Sequence, residues 1–286
     1  MKKSILLSFG LLSLVGVVWL FAQPAPPDPL RRGIPDWELS KEMPHDVFTF
    51  VRIEYESAHG SFGRRGGPWK TDYPDADLNF SYRLQELTSM KVHPKGKILK
   101  LTDPELFDYP FIYIIEPGIQ GGMILNDKES ENLRKYLLNG GFLLVDDFWG
   151  DEEYDNFVRA MEEVFPPKKY PRQQPRELPL EHPIFHCVFD LKEKPQLPSI
   201  GGRGGNQPWR FGINYERGKP YDKYGHEARF NAIMDDKDRM MVFICHNTDL
   251  GDGWEREGED PEYFKKFSEP RAYPMGINII YYAMTH

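Results

Sequence analysis

Short apolar runs alternate with an amphipathic segment in the middle of the chain. Phe111–Ile115 is a continuous apolar run of the length that a buried strand has. Residues 126–138 then show a helical period, with Asn126 as a suitable N-cap and Gly140-Gly141 as the stop. A second apolar run follows at 142–145. This order and spacing predict a βαβ unit with two buried parallel strands.

Similar patterns predict the remaining elements, with less precise boundaries. A β-rich run at 46–56 predicts the first strand, and a helix is expected from Asp75 or Asp77 onward, with Leu78, Tyr82, Leu84 and Leu87 on its apolar face. The other expectations are a helix at 152–164, strands at 184–191, 228–234 and 239–245, a polar loop at 246–269, and a last helix at 275–284. The strands at 228–234 and 239–245 are expected to form a hairpin or to lie next to each other.

The N-terminus has the pattern of an export signal. Lys2-Lys3 precedes an apolar stretch at 5–21, and a small-residue cleavage position follows. We therefore predict a signal peptide at 1–22, a proline-rich linker at 23–45 and a single domain at 46–286. The protein is expected to be periplasmic or extracellular, with membrane contact only through a signal that stays uncleaved. A net charge of −8 argues against nucleic acid as a partner.

The chain has two cysteines, Cys187 and Cys245, and both lie in apolar runs. An exported protein can form a disulfide between them. Two buried thiols that pack as small apolar side chains fit the sequence equally well.

The first candidate site lies at the end of the apolar run 142–145. Asp146 and Asp147 follow it directly, and Trp149 comes next in a turn that contains no serine, cysteine or threonine. The carboxyl ends of parallel strands are where open α/β sheets bind ligands. Neighbouring strand residues point to opposite faces, so one carboxylate can line a crevice while the other orients the turn. Asp146 and Asp147 are candidate acid or base groups; in the plainer interpretation both only cap the turn.

Two further polar groups join this prediction. One follows Trp69 and comprises Asp72, Asp75, Asp77 and Asn79. The spacing of its last three members resembles an EF-hand loop, but Phe80 stands where that loop needs glycine. A different cation site with oxygen ligands and simple helix capping are the alternatives. The other follows the strand at 239–245 and comprises His246, Asn247, Asp249 and Asp252. If that strand neighbours 142–145 in parallel, this group faces Asp146 and Asp147. The alternative is a solvated acidic loop held by His246 and Trp254.

Basic glycine-rich loops at 63–67, which includes Arg65, and at 201–205 are either anion-binding or plain surface loops. His182 and His186 are four residues apart, but Pro183 opposes a helix between them, so they do not read as a helical zinc pair. The sequence indicates no particular cofactor, and no metal site is predicted.

Several spaced segments resemble the bacterial family called domain of unknown function four-one-five-nine. They are 69–77 (Trp69-Lys70-Thr71-Asp72 and onward), 146–150, His182-Pro183-Ile184-Phe185, 246–252 and the ending at 276–286. The resemblance covers about residues 48–286. It implies an α/β, flavodoxin-like fold related to class I glutamine amidotransferases and trehalose-utilisation-like proteins, with a mostly parallel sheet flanked by helices.

The resemblance brings no activity with it. Related amidotransferases carry a cysteine nucleophile at a sharp strand-to-helix turn, and Asp146-Asp147 is expected at that turn here. The first hypothesis is therefore a non-catalytic, exported module that binds a small polar ligand or an envelope component. The second is a carboxylate- or metal-dependent hydrolase of envelope material, in which Asp146 or Asp147 would be the base and His246 with Asp249 would orient the substrate or metal. The third is a structural partner in a membrane complex.

Overall fold

A computed structural model describes residues 31, 33–39, 46–60, 66–200 and 207–286 of the chain. The predicted signal peptide, most of the linker, Arg65 and the loop at 201–205 lie outside these residues. Within them, none of the helices is long and apolar enough to cross a bilayer.

A seven-stranded sheet forms the centre of an α/β fold, in the order β3-β1-β4-β6-β9-β8-β7. The first five strands in this order run parallel; β8 is antiparallel to both of its neighbours. A small antiparallel pair, β2 with β5, lies beside the sheet. The strands are β1 (Val51–Ile53), β2 (Glu56–Ser57), β3 (Lys97–Leu99), β4 (Phe111–Ile115), β5 (Met123–Ile124), β6 (Phe142–Phe148), β7 (Arg176–Glu177), β8 (Arg229–Met234) and β9 (Met240–His246).

Helices cover both faces of the sheet. They are α1 (Asp75–Leu87), α2 (Asp127–Leu138), α3 (Gly150–Val164), α4 (Leu250–Glu255), α5 (Pro261–Tyr263) and α6 (Tyr273–Thr285), with a π-helical segment at Phe264–Ala272 before α6. Single 3-10 turns lie at Pro68–Lys70, Pro104–Asp108, Ile119–Gly121, Pro183–Phe185 and Pro208–Phe211. The capping box predicted for α2 is present, since the Asn126 side chain accepts from the amides of Lys128 and Glu129.

Strand alternation divides the core into two clusters. Phe111, Tyr113 and Ile115 of β4 pack on the face covered by α1, α4 and α6, which we call the α1 face. Ile112 and Ile114 pack on the opposite face with α2 and α3, which we call the α3 face. Because both faces are buried, the strands read as continuous apolar runs, as a parallel sheet requires. Each large apolar side chain buried here contributes about 1.5–3 kcal/mol.

The βαβ prediction is confirmed: β4, α2 and β6 follow one another, and the two strands pair in parallel. The hairpin of β8 and β9 is confirmed as well. The parallel pairing of β6 with β9 fulfils the condition that brings their carboxyl ends to the same edge.

Two element predictions are wrong. Residues 184–191 were expected as a strand but contain the 3-10 turn Pro183–Phe185 and irregular backbone, because Pro183 and the His182 side chain, which accepts from the Ile184 amide, favour a tight turn. The predicted loop at 246–269 contains α4 and α5, whose starts are capped by Asp249 and Asp260. The predicted first strand is also reduced to β1 and the two residues of β2.

Both cysteines are free thiols. Cys245 is completely buried in the α1-face core, and Cys187 is half-buried. The second of the two alternatives left open by the sequence is therefore the one present in this structure.

A buried ion pair links β1 to α1. The Arg52 guanidinium donates to the Asp77 carboxylate, with an Nη2–Oδ1 distance of 2.5 Å, and both side chains are almost wholly inaccessible. Nη1 of Arg52 also donates to the carbonyls of Trp69, at 3.0 Å, and Thr71, at 2.9 Å. Asp77, predicted as a ligand-binding residue, is thus committed to Arg52, and Arg52 fixes the loop before α1.

We predict that Asp77→Asn lowers the free energy of unfolding by about 3–5 kcal/mol, because it leaves the buried Arg52 without its counter-charge. Denaturant unfolding measures the change. Glu131→Gln is the matched control: Glu131 pairs with Lys135 on the exposed face of α2, and its loss is expected to cost less than about 1 kcal/mol. Equal effects of the two substitutions would contradict the assignment.

Candidate functional site

The carboxyl ends of three neighbouring strands meet in sharp turns at one edge of the sheet. Glu116 follows β4 with φ 50°, Asp147 lies near the end of β6 with φ 54°, and Asn247 follows β9 with φ 60°. Asp72, in the loop before α1, has φ 61°. Non-glycine residues rarely adopt this left-handed conformation, and such strained positions concentrate at functional sites. The edge is therefore the first place to look for one.

Asp72, Asp147 and Asp249 form what we call the acidic cluster. One carboxylate oxygen of each lies within 4.8 Å of the other two. Asp147 and Asp249 are buried, whereas Asp72 is half-buried. A neighbouring group, Asp72 with Asp252 and Glu255, meets the same distance limit and shares Asp72. Residues from β6, the turn after β9, α4 and the loop before α1 thus bring their acids into two groups that share Asp72.

Local hydrogen bonds hold the acids of the cluster in place. Oδ1 of Asp147 accepts from the Trp149 indole at 2.9 Å, and Oδ1 of Asp249 accepts from the Asp252 amide at 2.7 Å as the cap of α4. Oδ2 of Asp252 accepts from the Ile200 amide at 2.7 Å. Among the described residues, no donor bonds Oδ2 of Asp147 or of Asp249. Each of these two carboxylates is therefore fixed by one oxygen while the other stays available.

Asp146 is a further carboxylate at the base of this edge, and it is completely buried. Its Oδ2 accepts from the Gly251 amide at 2.9 Å and from the Tyr113 hydroxyl at 3.3 Å. Its Oδ1 has no hydrogen-bond partner among the described residues. Burial raises the pKa of Asp146 to about 7.

The start of α4 approaches the cluster so closely that only glycine fits. A Cβ on Gly251 would overlap Oδ2 of Asp72 and would lie 3.2 Å from the Tyr113 hydroxyl oxygen. That Asp72 oxygen is itself buried and has no hydrogen-bond partner within the described chain. Asp72 and Asp146 therefore converge on Gly251 from two sides.

Burial and mutual repulsion raise the pKa values of the acids. For Asp72, burial is followed in importance by the charges of Asp252 and Glu255; for Asp249, burial is followed by the charge of Asp147. Burial is also the main cause for Asp147, and it raises the pKa of Glu255 to about 7. Two carboxylates about 4–5 Å apart repel by about 3–4 kcal/mol at an effective dielectric constant of about 20.

Among the described residues, cationic side chains form ion pairs only with the outer acids of this region, Asp252 and Glu255. Arg256 lies 2.8 Å from Glu255 and 3.6 Å from Asp252, measured from its Nε to a carboxylate oxygen. Arg52 lowers the pKa of Asp72 but donates to Asp77. In the described part of the chain, no lysine or arginine forms an ion pair with Asp72, Asp147 or Asp249. The acidic cluster is thus the least compensated part of the site.

His246 does not join the acidic cluster. Its ring lies on the α3 face, with ring centroids 4.7 Å from Tyr154 and 5.3 Å from Phe148, and its Nε2 bonds the Gly150 carbonyl at 2.9 Å. Alternation along β9 puts His246 on the same face as Ile244, and the irregularity of β6 after Val145 brings Phe148 opposite it. Burial lowers the pKa of His246 to about 4.

The other predicted residues have mainly structural positions. Trp69 packs in the α3-face core, and Trp149 orients Asp147. Asp75 lies in the first turn of α1 and its charge contributes to the raised pKa of Glu255. The Asn247 side chain accepts from the Gly150 amide at 2.9 Å and donates to the carbonyls of Gly225 and Glu227, so it braces the turn. Arg65 lies outside the described residues.

Sequence reasoning missed three residues at this edge: Glu116, Gly251 and Lys219. Glu116 follows a buried strand directly, so the rule that pointed to Asp147 would have found it. Its Oε2 accepts from the Thr71 hydroxyl at 2.8 Å, and its charge raises the pKa of Asp147. Lys219 packs on Gly150 and forms an ion pair with Glu153, a long-range contact that no local pattern signals.

Comparison with known proteins identifies a family. The model of the family described as Domain of unknown function (DUF4159) matches residues 49–284, and the chain belongs to this family. No curated protein matches the chain.

We predict that His246→Phe makes the protein less sensitive to acid. His246 stays neutral in the folded state down to about pH 4, while an unfolded histidine takes up a proton below about pH 6.5, so its contribution is lost as the pH falls between these values. Between pH 7 and pH 4, the free energy of unfolding of the wild type should therefore fall by up to about 3 kcal/mol more than that of the variant.

Denaturant unfolding at several pH values measures this difference. Tyr154→Phe is the control, because burial raises the pKa of Tyr154 and its hydroxyl stays neutral throughout this range. A difference for His246→Phe that is as independent of pH as that of the control would contradict a buried, neutral His246.

Proposed function

We propose that this chain is a ligand-binding module that takes a small polar ligand, rich in hydrogen-bond donors or positive charge, at the acidic cluster. One observation carries the proposal: oxygens of Asp72, Asp147 and Asp249 lie within 4.8 Å of one another without an ion-pair partner among the described residues. Buried acceptors without donors are costly, so a ligand that supplies donors gains binding energy there. Asp72 is the least buried of the three acids, so it is the member of the cluster nearest to the surface.

The strand order supports a flavodoxin-like fold as part of this proposal. Numbered along the chain, the five parallel strands follow the order 2-1-3-4-5, which is typical of that class. Ligands of such sheets bind beyond the carboxyl ends of the strands, where the acidic cluster lies. A kinship with amidotransferase-like proteins fits the sharp turn from β6 to α3.

The residues in the turn from β6 to α3 favour ligand binding over catalysis by a cysteine thiolate. Asp147 stands there in the left-handed conformation, and the turn 146–150 contains no serine, cysteine or threonine. Cys245 is completely buried in the α1-face core, and burial raises the pKa of its thiol. With the export signal expected at 1–22, we propose that the ligand is a component of the cell envelope.

A carboxylate-dependent hydrolase of envelope material is the second candidate. Asp146 favours it, since a carboxyl group with a pKa of about 7 can accept or donate a proton near neutral pH. Hydrolysis of a model ester, amide or glycoside that is abolished by Asp146→Asn would favour the enzyme. Binding of the same compounds without turnover would favour the module.

The test is thermal unfolding of the full-length chain in EDTA with a panel of sugars, amino sugars, polyamines and peptidoglycan fragments. A true ligand at about 100 times its dissociation constant stabilises by about 2.7 kcal/mol, a shift of several degrees. Asp249→Asn should abolish most of the shift while keeping the cap of α4, because asparagine caps helices as well as aspartate does.

Asp190→Asn is the control for this test. Asp190 is exposed and pairs with Lys192 and His186, on a segment that contributes no residue to the acidic cluster. Its substitution should leave the ligand shift unchanged. Equal shifts for wild type and Asp249→Asn, or no shift with any class of compound, would contradict the proposal.

A further inference from the structure

We propose that Asp72, Asp147 and Asp249 together hold one hard divalent cation, of the kind represented by Ca²⁺, Mg²⁺ and Mn²⁺. The inference rests on the proposed function in one respect: the cation would itself be the positively charged occupant of the acidic cluster. The sequence left cation binding open at several acidic segments but did not predict a metal site or this set of ligands.

The ligand atoms have the right chemistry. All three residues offer carboxylate oxygens, and the group contains no cysteine and no histidine. Carboxylate, carbonyl and water oxygens favour magnesium, calcium and manganese, whereas thiolate and imidazole ligands favour zinc and copper. His246, the imidazole nearest in sequence, packs on the other face of the sheet.

The spacing fits a single ion. Calcium binds oxygens at about 2.3–2.6 Å, so two ligands on opposite sides of the ion are about 4.6–5.2 Å apart and adjacent ligands are closer. The three oxygens, all within 4.8 Å of one another, can therefore reach one ion together. Three protein ligands leave coordination positions for water or for oxygens of a ligand.

The distribution of positive charge selects between the two acidic groups. Asp252 and Glu255 already have Arg256 beside them, and Asp252 is further occupied by the Ile200 amide. Asp147 and Asp249 form no ion pair with a lysine or arginine in the described part of the chain; the charge of Lys219 acts on Asp147 only from a distance, because Lys219 pairs with Glu153 and Glu216. We therefore assign one ion, at Asp72, Asp147 and Asp249, rather than two ions that share Asp72.

An independent observation points to the same space. Asp146 is completely buried, and its Oδ1 has no hydrogen-bond partner in the described part of the chain. Its other oxygen bonds the Gly251 amide, and Oδ2 of Asp72 fills the position of a Cβ on Gly251. Two buried carboxylate oxygens without a hydrogen-bond partner among the described residues, Oδ1 of Asp146 and Oδ2 of Asp72, therefore lie at this edge, and besides burial the charge of Asp146 raises the pKa values of Asp147 and Asp249. Uncompensated buried carboxylates of this kind favour a positive group beside them.

The experiment titrates the full-length chain, first treated with EDTA and then freed of it, with CaCl₂, MgCl₂, MnCl₂ or ZnCl₂ alone. Calorimetry should give one equivalent for at least one of the first three ions, with a rise in melting temperature of several degrees. Asp147→Asn and Asp249→Asn should each weaken binding at least tenfold. Asparagine tolerates the left-handed backbone of Asp147 and caps α4 at position 249, so both variants should fold.

Glu255→Gln is the matched control. It removes a charge from the neighbouring acidic group and should change the affinity less than about threefold. In EDTA, Asp147→Asn should melt at a higher temperature than wild type, because it removes like-charge repulsion. If Asp147 only stabilised the fold, the variant would melt at a lower temperature than wild type in EDTA.

The outcomes separate this inference from the proposed function. Polar ligands that stabilise the chain in EDTA, with no effect of any divalent ion, would overturn the cation site and leave ligand binding standing. Ions that bind while no polar ligand does would support the cation site alone. Two equivalents, one of them lost in Glu255→Gln, would overturn the assignment of a single ion, and so would zinc binding that excludes the other three ions.

Discussion

The parallel register of β4, β6 and β9 is the constraint on which the site depends. Ile115 pairs with Asp146, and Val145 pairs with Ile244, so the three strands end at nearly the same height. Both faces of these strands are buried, and a slip in register would expose large apolar side chains. The core therefore fixes where each strand turns, and the turns place Asp147 and Asp249 side by side although they are far apart in sequence.

Arg52 fixes the loop that carries Asp72, the member of the acidic cluster that does not follow a strand. It is buried in β1, and through the carbonyls of Trp69 and Thr71 it holds the loop that carries Asp72. Asp77 neutralises it, which leaves little of its charge to attract the cluster. The loop is thus held by hydrogen bonds to its backbone rather than by its acidic side chain. These bonds hold the Asp72 carboxylate close to other acids although their negative charges repel it.

The sequence predicted at which edge of the sheet the acidic side chains lie, but not which of them come together. Asp146, Asp147 and Asp249 follow apolar runs, and the rule that ligands bind at the ends of parallel strands was enough to select them. Alternation along β9, with Ile244 on the α3 face and Cys245 on the α1 face, places His246 on the α3 face. The irregularity of β6 between Val145 and Phe148, which frees Asp147 from that face, could not be seen in the pattern. The loop of Asp72 and the close approach of Gly251 are long-range contacts without a local signal. The helix α4 was missed because six residues show too little of a helical period.

Asp146 and Asp147 illustrate how two identical neighbours acquire different roles. Asp146 continues the alternation of β6 and is buried beneath α4, with hydrogen bonds from Tyr113 and Gly251 to one oxygen. Asp147 leaves the regular strand conformation, and its carboxylate reaches the two acids that come from outside β6. The strained backbone at Asp147 therefore has a structural purpose, since a regular strand would have directed this side chain into the α3-face core. A site built in this way accumulates negative charge without its own compensation, and that imbalance is the physical reason to expect a positively charged or donor-rich occupant.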